Sequence, residues 1–239
     1  MATSGTYSFD PSFGNLGLTA FSRIRVKRTE LTQQHMEDLR TEANLLQVEW
    51  VNAGVLLWKQ VLQSFTMIPG QATYDVPDNT VMVLDLYISP STGSSSGQNR
   101  LIYPFSRTDY ASLGNPNSTG FPTSFFFLRT VSPTLTFWPV PDNDTTYTCS
   151  YWSYIQMEDA NLANGGNLDI QYLFLDAFVS GVANRLCPGY GPNTNGIPDP
   201  NFMDRIEKRA TTSFELAMKQ NTENVPLYFN PGLAGYFRP

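Results

Sequence analysis

The stretch of sequence that decides the fold is Thr32–Gly54, which reads TQQHMEDLRTEANLLQVEWVNAG. Its apolar side chains recur every three or four residues, the spacing that places them along one face of an α-helix. They are Met36, Leu39, Ala43, Leu46 and Trp50. Thr32 suits an N-cap, and Gly54 stands where a C-terminal cap is expected. Because such a helix is about 30 Å long, its apolar face needs partners from elsewhere in the chain.

The composition indicates a folded protein with a weakly charged surface. The chain has 239 residues, enough for one large domain or two small ones, and 41% are hydrophobic, ample for a core. Only 15% are charged, a low value that is often seen in proteins that work inside an assembly. The net charge of −6 disfavours a continuous phosphate-binding surface. The first residues lack an export signal, and no apolar run reaches the ~18 residues of a membrane span. We therefore expect neither export nor membrane insertion.

Later segments predict helices that can partner the first one. Leu168–Leu186 carries a broad apolar face with few charges, and we expect it to be the most buried helix. Phe202–Lys219 has its apolar side chains on one side, and Asp199 and Pro200 before it suit an N-cap followed by proline. A short helix is predicted at Leu18–Val26.

The apolar period changes to two between Gln60 and Tyr154, where turn sequences separate short segments. This pattern predicts strands, arranged as an antiparallel meander or sandwich. The predicted fold class is α+β: an antiparallel α-helical bundle with an inserted antiparallel β domain and extended terminal arms. The expected boundaries are 1–17 for the N-terminal arm, 18–59 and 160–220 for the helical bundle domain, 60–159 for the inserted β-rich domain and 221–239 for the C-terminal arm.

Both predicted arms are aromatic but lack a helical or strand period, and prolines and glycines interrupt the C-terminal one. One interpretation is that their side chains are buried on a neighbouring molecule, the C-terminal arm as an extended strand. The alternatives are a disordered N-terminus and a C-terminal arm that folds back on its own domain. The candidate interface residues are Tyr7, Phe9, Phe13, Leu227, Tyr228, Phe229, Tyr236 and Phe237.

The sequence contains no constellation that is typical of catalysis. The single histidine, His35, lies on the polar flank of the first long helix, where a solvated residue is expected. Cys149 and Cys187 have no neighbours typical of metal or redox sites, and we expect both to be small buried hydrophobes. Neither Gly-x-Ser-x-Gly nor a phosphate-binding loop occurs. The sequence therefore predicts no enzyme, no cofactor and no metal site.

The aromatic residues of the β-rich region allow two interpretations. The first is core and cross-strand packing, the usual role of such residues in strands. The second is a stacking platform for sugars, which makes a carbohydrate- or receptor-binding module the alternative function. The residues concerned are Phe125, Phe126, Phe127, Trp138 and Trp152.

Several phrases in the chain resemble bacteriophage head-to-tail adaptor proteins. They are LTAFSRI (18–24), EWVNAGVLLW (49–58), YDVP (74–77), FPT (121–123), TFWPVP (136–141) and ENVPLY (223–228). Together with the order helix, β insertion, helix, helix, they are similar to podovirus adaptors of the tail tubular protein A type. The resemblance covers nearly the whole chain.

The resemblance implies a structural virion protein at the head–tail junction, assembled in the host bacterial cytoplasm. Such adaptors form a ring with copies of themselves, typically a dodecamer, between the portal protein and the tail nozzle protein. Some also dock tail fibres or tailspikes. The ring extends the channel through which viral DNA passes without specific binding, and the C-terminal arm is expected to reach into the portal. Glu37, Asp38, Glu42 and Glu49 would then face solvent, a neighbouring subunit or that channel.

Overall fold

The computed structural model describes residues 5, 9–55, 57–92, 95–96, 98–162, 166–194 and 196–221. Within these residues the chain is α+β, as the sequence predicts. Its helices are α1 (Phe13–Arg23), α2 (Gln33–Asn52), α3 (Arg107–Ala111), α4 (Leu175–Tyr190) and α5 (Pro200–Gln220).

Helix α2 confirms the prediction made from Thr32–Gly54. The backbone N–H of Thr32 donates to Nδ1 of His35 (3.3 Å), and Oγ1 of Thr32 lies 2.7 Å from the same nitrogen. At the other end Gly54 has φ +82°, a left-handed conformation that glycine adopts without a steric penalty. The predicted apolar face is buried, with Met36 only partly so. Helix α2 is therefore set by local capping as well as by burial.

Helix α4 lies at the centre of the helical part and packs against α1, α2 and α5. Phe178 on α4 meets Phe13 and Trp50 edge-on, with ring centroids 6.5 and 6.0 Å apart. Trp50 in turn packs against Phe214 of α5 at 5.7 Å. One hydrophobic cluster thus joins these helices, and burial of the large aromatic side chains supplies much of its stability.

Helix α1 differs from the prediction at its start. It begins at Phe13, not at Leu18, and Phe13 is fully buried in the helical cluster. Its assignment to an arm that packs on a neighbouring molecule is therefore wrong. Ser12 precedes the helix, and Phe13 is held there by Phe178 of α4, a partner far away in the sequence.

Helix α4 also differs from the prediction at both ends. It begins at Leu175 after a single 3-10 turn, Tyr172–Phe174, and it continues to Tyr190. Leu168 is buried without being helical, so its apolar character reflects the core and not a helix period. Pro188 is accommodated in the last turn. Helix α5 follows the prediction, because the side chain of Asp199 accepts hydrogen bonds from the first turn.

The β insertion is dominated by one large sheet. Its strands are β1 (Gln60–Thr66), β2 (Thr73–Asp75), β3 (Thr80–Thr92), β4 (Ser95–Ser96), β5 (Arg100–Pro104), β7 (Ser124–Leu128), β8 (Thr134–Trp138) and β10 (Thr146–Ile155). Two short pairs lie apart, β6 (Thr119–Gly120) with β9 (Val140–Pro141), and β11 (Asn193–Thr194) with β12 (Ile197–Pro198). Among the described residues the main order is β1-β10-β3-β5-β7-β8-β2, with β4 beside β3.

This order corrects the predicted meander or sandwich. The sheet is mostly antiparallel, but β5 and β7 are parallel neighbours. A parallel pair requires a crossover connection, and the segment between Pro104 and Ser124, which includes α3, provides it. One face of the sheet is covered by a second hydrophobic cluster that includes Leu86, Ile88 and Phe137.

Two glycines set how closely the helices around α2 approach one another. A Cβ atom on Gly17 of α1 would lie 2.2 Å from Cδ2 of Leu39, and one on Gly181 of α4 would lie 2.8 Å from Cδ2 of Leu46. Leu39 is fully buried, so its side chain cannot turn away into solvent. Small residues at these two positions are therefore required by packing.

We expect Gly17→Ala to lower the free energy of unfolding by up to about 2 kcal/mol. Overpacking costs about 1 to 3 kcal/mol, against about 1 kcal/mol gained by alanine in a helix. The matched control is Gly14→Ala in the same helix, because no atom lies within 4 Å of that Cβ position. Urea titrations should show opposite shifts. Equal stabilisation of both variants would mean that Leu39 has room to move.

The helical part and the sheet are joined at Asp169. Its carboxylate forms an ion pair with Lys59, which lies just before β1 and is 9% exposed. The same carboxylate accepts a hydrogen bond from the backbone N–H of Glu158 (3.1 Å), just after β10. The indole N–H of Trp58 donates to the backbone carbonyl of Asp169 (3.3 Å). The chain passes from the helices into the sheet before β1 and leaves the sheet after β10. Asp169 binds it at both places.

Replacing Asp169 by asparagine should destabilise the fold by up to about 3 kcal/mol, because it leaves the buried Lys59 ammonium without a counter-charge. Lys59→Met added to Asp169→Asn should recover part of the loss. The matched control is Asp204→Asn, since Asp204 pairs with an exposed lysine, Lys208, on α5. Thermal unfolding followed by circular dichroism measures all three. A wild-type melting temperature for Asp169→Asn would contradict a structural role for the ion pair.

Candidate interaction surface

A groove of about 710 Å³ lies between α2 and the β insertion. Its apolar walls come from α2 on one side and from the β insertion and the segment after β10 on the other. We define the α2 groove by Leu45, Gln47, Val48, Val51, Val81 and Met157. Asn44 of α2 connects the two walls of the groove. Its Oδ1 accepts a hydrogen bond from the backbone N–H of Ala160 (2.7 Å), in the segment after β10.

The apolar side chains of α2 that line this groove lie on the face turned away from its core. Leu45 is 48% exposed and Val48 is 50% exposed. At about 100° per residue, Val48 points some 200° away from the buried Leu46. Leu45, Val48 and Val51 recur every three residues, and this second apolar line is the sequence signal that reveals the groove.

Gln47 is the unusual polar residue of the groove. The residue is only 4% exposed. Within the described part of the chain, its Nε2 has no hydrogen-bond acceptor. A buried amide without a partner costs about 1 to 3 kcal/mol. Gln47 therefore places a buried amide without an acceptor in the wall of the groove.

The charges around the groove are balanced. Glu37 and Asp159 supply carboxylates, and Arg40 and Arg129 supply guanidinium groups. An even mixture of signs does not favour a nucleic-acid backbone, which selects clustered lysine and arginine. The chemistry of the groove suits a neutral, apolar polypeptide segment.

Three acidic side chains of α2 contact polar side chains of α4. Arg185 of α4 binds Glu42 (3.2 Å) and Glu49. Asp38 accepts a hydrogen bond from the hydroxyl of Tyr190, and this bond raises the pKa of Tyr190 to about 12. The expectation of plain solvent exposure is therefore incomplete for these three acids. They have partners within the chain.

His35 is also placed differently from the expectation of a solvated residue. It is half-buried, and its ring centroid lies 4.4 Å from that of Tyr190 and 5.6 Å from that of Phe21. The hydrogen bonds from Thr32 hold Nδ1 at the helix start. His35 thus caps α2 and packs against α1 and α4.

The candidate interface residues in the arms divide into three groups. Phe9 is 77% exposed, and its burial on a neighbouring molecule stays a prediction. Phe13 is buried in its own chain, as described above. The remaining ones lie outside the described residues: Tyr7, Leu227, Tyr228, Phe229, Tyr236 and Phe237.

The aromatic residues of the sheet mostly serve packing. Phe125 is buried, and the indole N–H of Trp138 donates to the backbone carbonyl of Asn115 (3.1 Å). Trp152 is the exception, because it is 39% exposed and lies opposite Leu62, which is also exposed. Among the five aromatic residues considered from the sequence, Trp152 is thus the exposed one.

The two cysteines confirm the prediction of small buried hydrophobes. Both thiols are free and buried, and burial raises the pKa of each. In the described part of the chain, no three side chains among His, Cys, Asp and Glu come together as metal ligands. None of the helices described there combines the length and the apolarity needed to cross a bilayer.

The structure thus combines an α+β fold with an open groove between α2 and the β insertion. The chain belongs to the SU10 adaptor protein family, whose model matches residues 19–223. A comparison with curated proteins finds no match. The family is one of structural bacteriophage proteins and not of enzymes, so the expected resemblance to a phage head-to-tail adaptor is confirmed at the family level. Membership of this family makes the chain a structural component of the virion.

Proposed function

We propose that the chain forms a homo-oligomeric ring, a dodecamer, between the portal protein and the tail nozzle protein of a podovirus-type phage. The α2 groove is the observation that carries this proposal. A monomeric protein rarely leaves a large apolar groove open, whereas a ring subunit covers such a surface with its neighbour.

The arrangement of helices and sheet suggests how a subunit sits in the ring. The helices form the bundle that surrounds the DNA channel, and the β insertion faces outward or toward the tail, where it docks tail components such as fibres or tailspikes. The joint at Asp169 keeps these two parts in a defined orientation. A subunit of this shape presents different surfaces to the channel and to the tail.

The charge of the chain suits a conduit for DNA during ejection. The net charge is −6, and arginines on the helices, such as Arg23 and Arg185, are paired with carboxylates. Each contact between a cation and a phosphate strengthens binding and would slow passage. A ring of such subunits lets DNA slide through without holding it.

We expect the full chain, mixed with the portal protein, to give closed twelvefold rings. Native mass spectrometry gives the subunit number, and negative-stain imaging locates the ring on the portal. The chain alone serves as the control for spontaneous assembly. A chain that stays monomeric and ignores the portal would rule out the adaptor ring.

A second candidate function is carbohydrate or receptor binding by the β insertion, and the exposed Trp152 beside Leu62 favours it. If this function operates, Trp152→Ala should abolish binding on a glycan array without changing the melting temperature. Trp138→Phe is the control. The indole N–H of Trp138 donates a hydrogen bond to the backbone of Asn115, so this side chain serves packing and its replacement should leave glycan binding unchanged. The absence of any glycan signal from the wild-type chain would exclude this candidate.

A further inference from the structure

We propose that the α2 groove receives residues 225–229 of a neighbouring copy, the segment Val-Pro-Leu-Tyr-Phe of the C-terminal arm. The proposal rests on the ring put forward above and names the contact that closes it. Each subunit then gives one segment and accepts another. Such a heterologous interface, in which two different surfaces meet, generates rings.

The first argument is the match of shape and polarity. Leu45, Val48 and Val51 form an apolar line about 9 Å long on α2, at 1.5 Å per residue. In an extended segment, alternate side chains share a face, so Leu227 and Phe229 would lie together against this line. The segment 225–229 carries no charge, and the charges at the rim of the groove are balanced.

The second argument is the unpaired amide of Gln47. Proline has no backbone N–H, so Pro226 leaves the segment with more hydrogen-bond acceptors than donors. Gln47 offers a donor that lacks an acceptor among the described residues. A backbone carbonyl of the segment would satisfy it. The groove and the segment are thus complementary in hydrogen bonding as well as in apolar surface.

The third argument concerns which copy supplies the segment. Helix α5 packs on the core side of the chain, where Phe214 meets Trp50, and it ends at Gln220. The groove lies on the opposite side of α2. Residues 222–239 span up to about 60 Å when extended, at 3.3 Å per residue, enough to reach an adjacent subunit. The groove therefore faces away from its own α5. A wild-type chain that stays monomeric and whose groove does not bind added segment peptide would have the segment in its own groove, and this outcome overturns the exchange between copies.

The exchange of segments can be tested with two full-length variants. The first, Leu45→Arg with Val48→Arg, closes the groove and keeps the segment. The second, Leu227→Asp with Phe229→Asp, makes the segment charged so that it should no longer bind, and leaves the groove unchanged. Both changes on α2 are at exposed positions, and circular dichroism melts check that each variant is folded. The matched control is Leu216→Arg, an exposed leucine of α5 outside the groove.

We expect each variant alone to remain monomeric in native mass spectrometry. A mixture of the two should give a one-to-one complex, because one intact segment can enter one intact groove. The control Leu216→Arg should assemble like the wild-type chain. Failure of the mixture to associate, or wild-type assembly by either variant alone, overturns the exchange between copies.

A direct binding measurement separates this proposal from the ring itself. A fluorescein-labelled peptide of residues 222–239 should bind the segment variant, with Kd raised at least tenfold when Leu45→Arg and Val48→Arg are added. Gln47→Leu should weaken binding severalfold without lowering the melting temperature, and Leu216→Arg should leave Kd unchanged.

Each remaining outcome decides between the proposals. Binding of the peptide to the portal and not to this chain, or equal binding with and without the groove substitutions, overturns the groove assignment. If both variants still form rings, the adaptor proposal is supported and the exchange of segments between copies is contradicted. Groove-dependent peptide binding by a chain that never forms rings keeps the assignment of the groove to the segment and removes the ring.

Discussion

The close approach of α2 to α1 and α4 is the constraint on which the rest of the structure depends. Gly17 and Gly181 leave room for Leu39 and Leu46, and no larger side chain fits there without displacing one of these buried leucines. This contact fixes the rotation of α2 about its own axis. With Leu39 and Leu46 held inward, Leu45 and Val48 must point outward, and the groove beside the β insertion follows. A single rotational setting of one helix thus determines both the core and the candidate interaction surface.

Sequence predicts the parts of this fold that depend on neighbouring residues. Thr32, Gly54 and Asp199 place the ends of α2 and the start of α5 correctly because capping is local. Phe13 and Leu168 were misplaced because they are held by residues far along the chain, and apolar character alone does not distinguish a helix from an extended segment in a core. The parallel pairing of β5 with β7 has no local signal either. The groove was accessible in principle from the spacing of Leu45, Val48 and Val51, but the burial of Gln47 depends on tertiary packing.

Most charged groups of the helical part are used within the subunit. Arg185 bridges Glu42 and Glu49, Arg23 binds Asp176, and Lys59 binds Asp169. The more exposed pairs, those of Arg185 and Arg23, contribute little net stability, but they orient the helices that they join. The ion pairs also occupy Arg23, Lys59 and Arg185, which are then not available to phosphate. Low surface charge and membership of a family of virion proteins are therefore consistent features of one molecule.

Asp169 has a mechanical consequence. The chain enters the sheet after Lys59 and leaves it before Glu158, and both points are bound to the same carboxylate. A change in the angle between the sheet and the helices would therefore have to break or rearrange the contacts of this residue. Beside it, the indole ring of Trp58 rests on Phe174, 4.9 Å away, at the entrance to α4. A displacement of the sheet would thus act first on α4, the helix that contacts α1, α2 and α5.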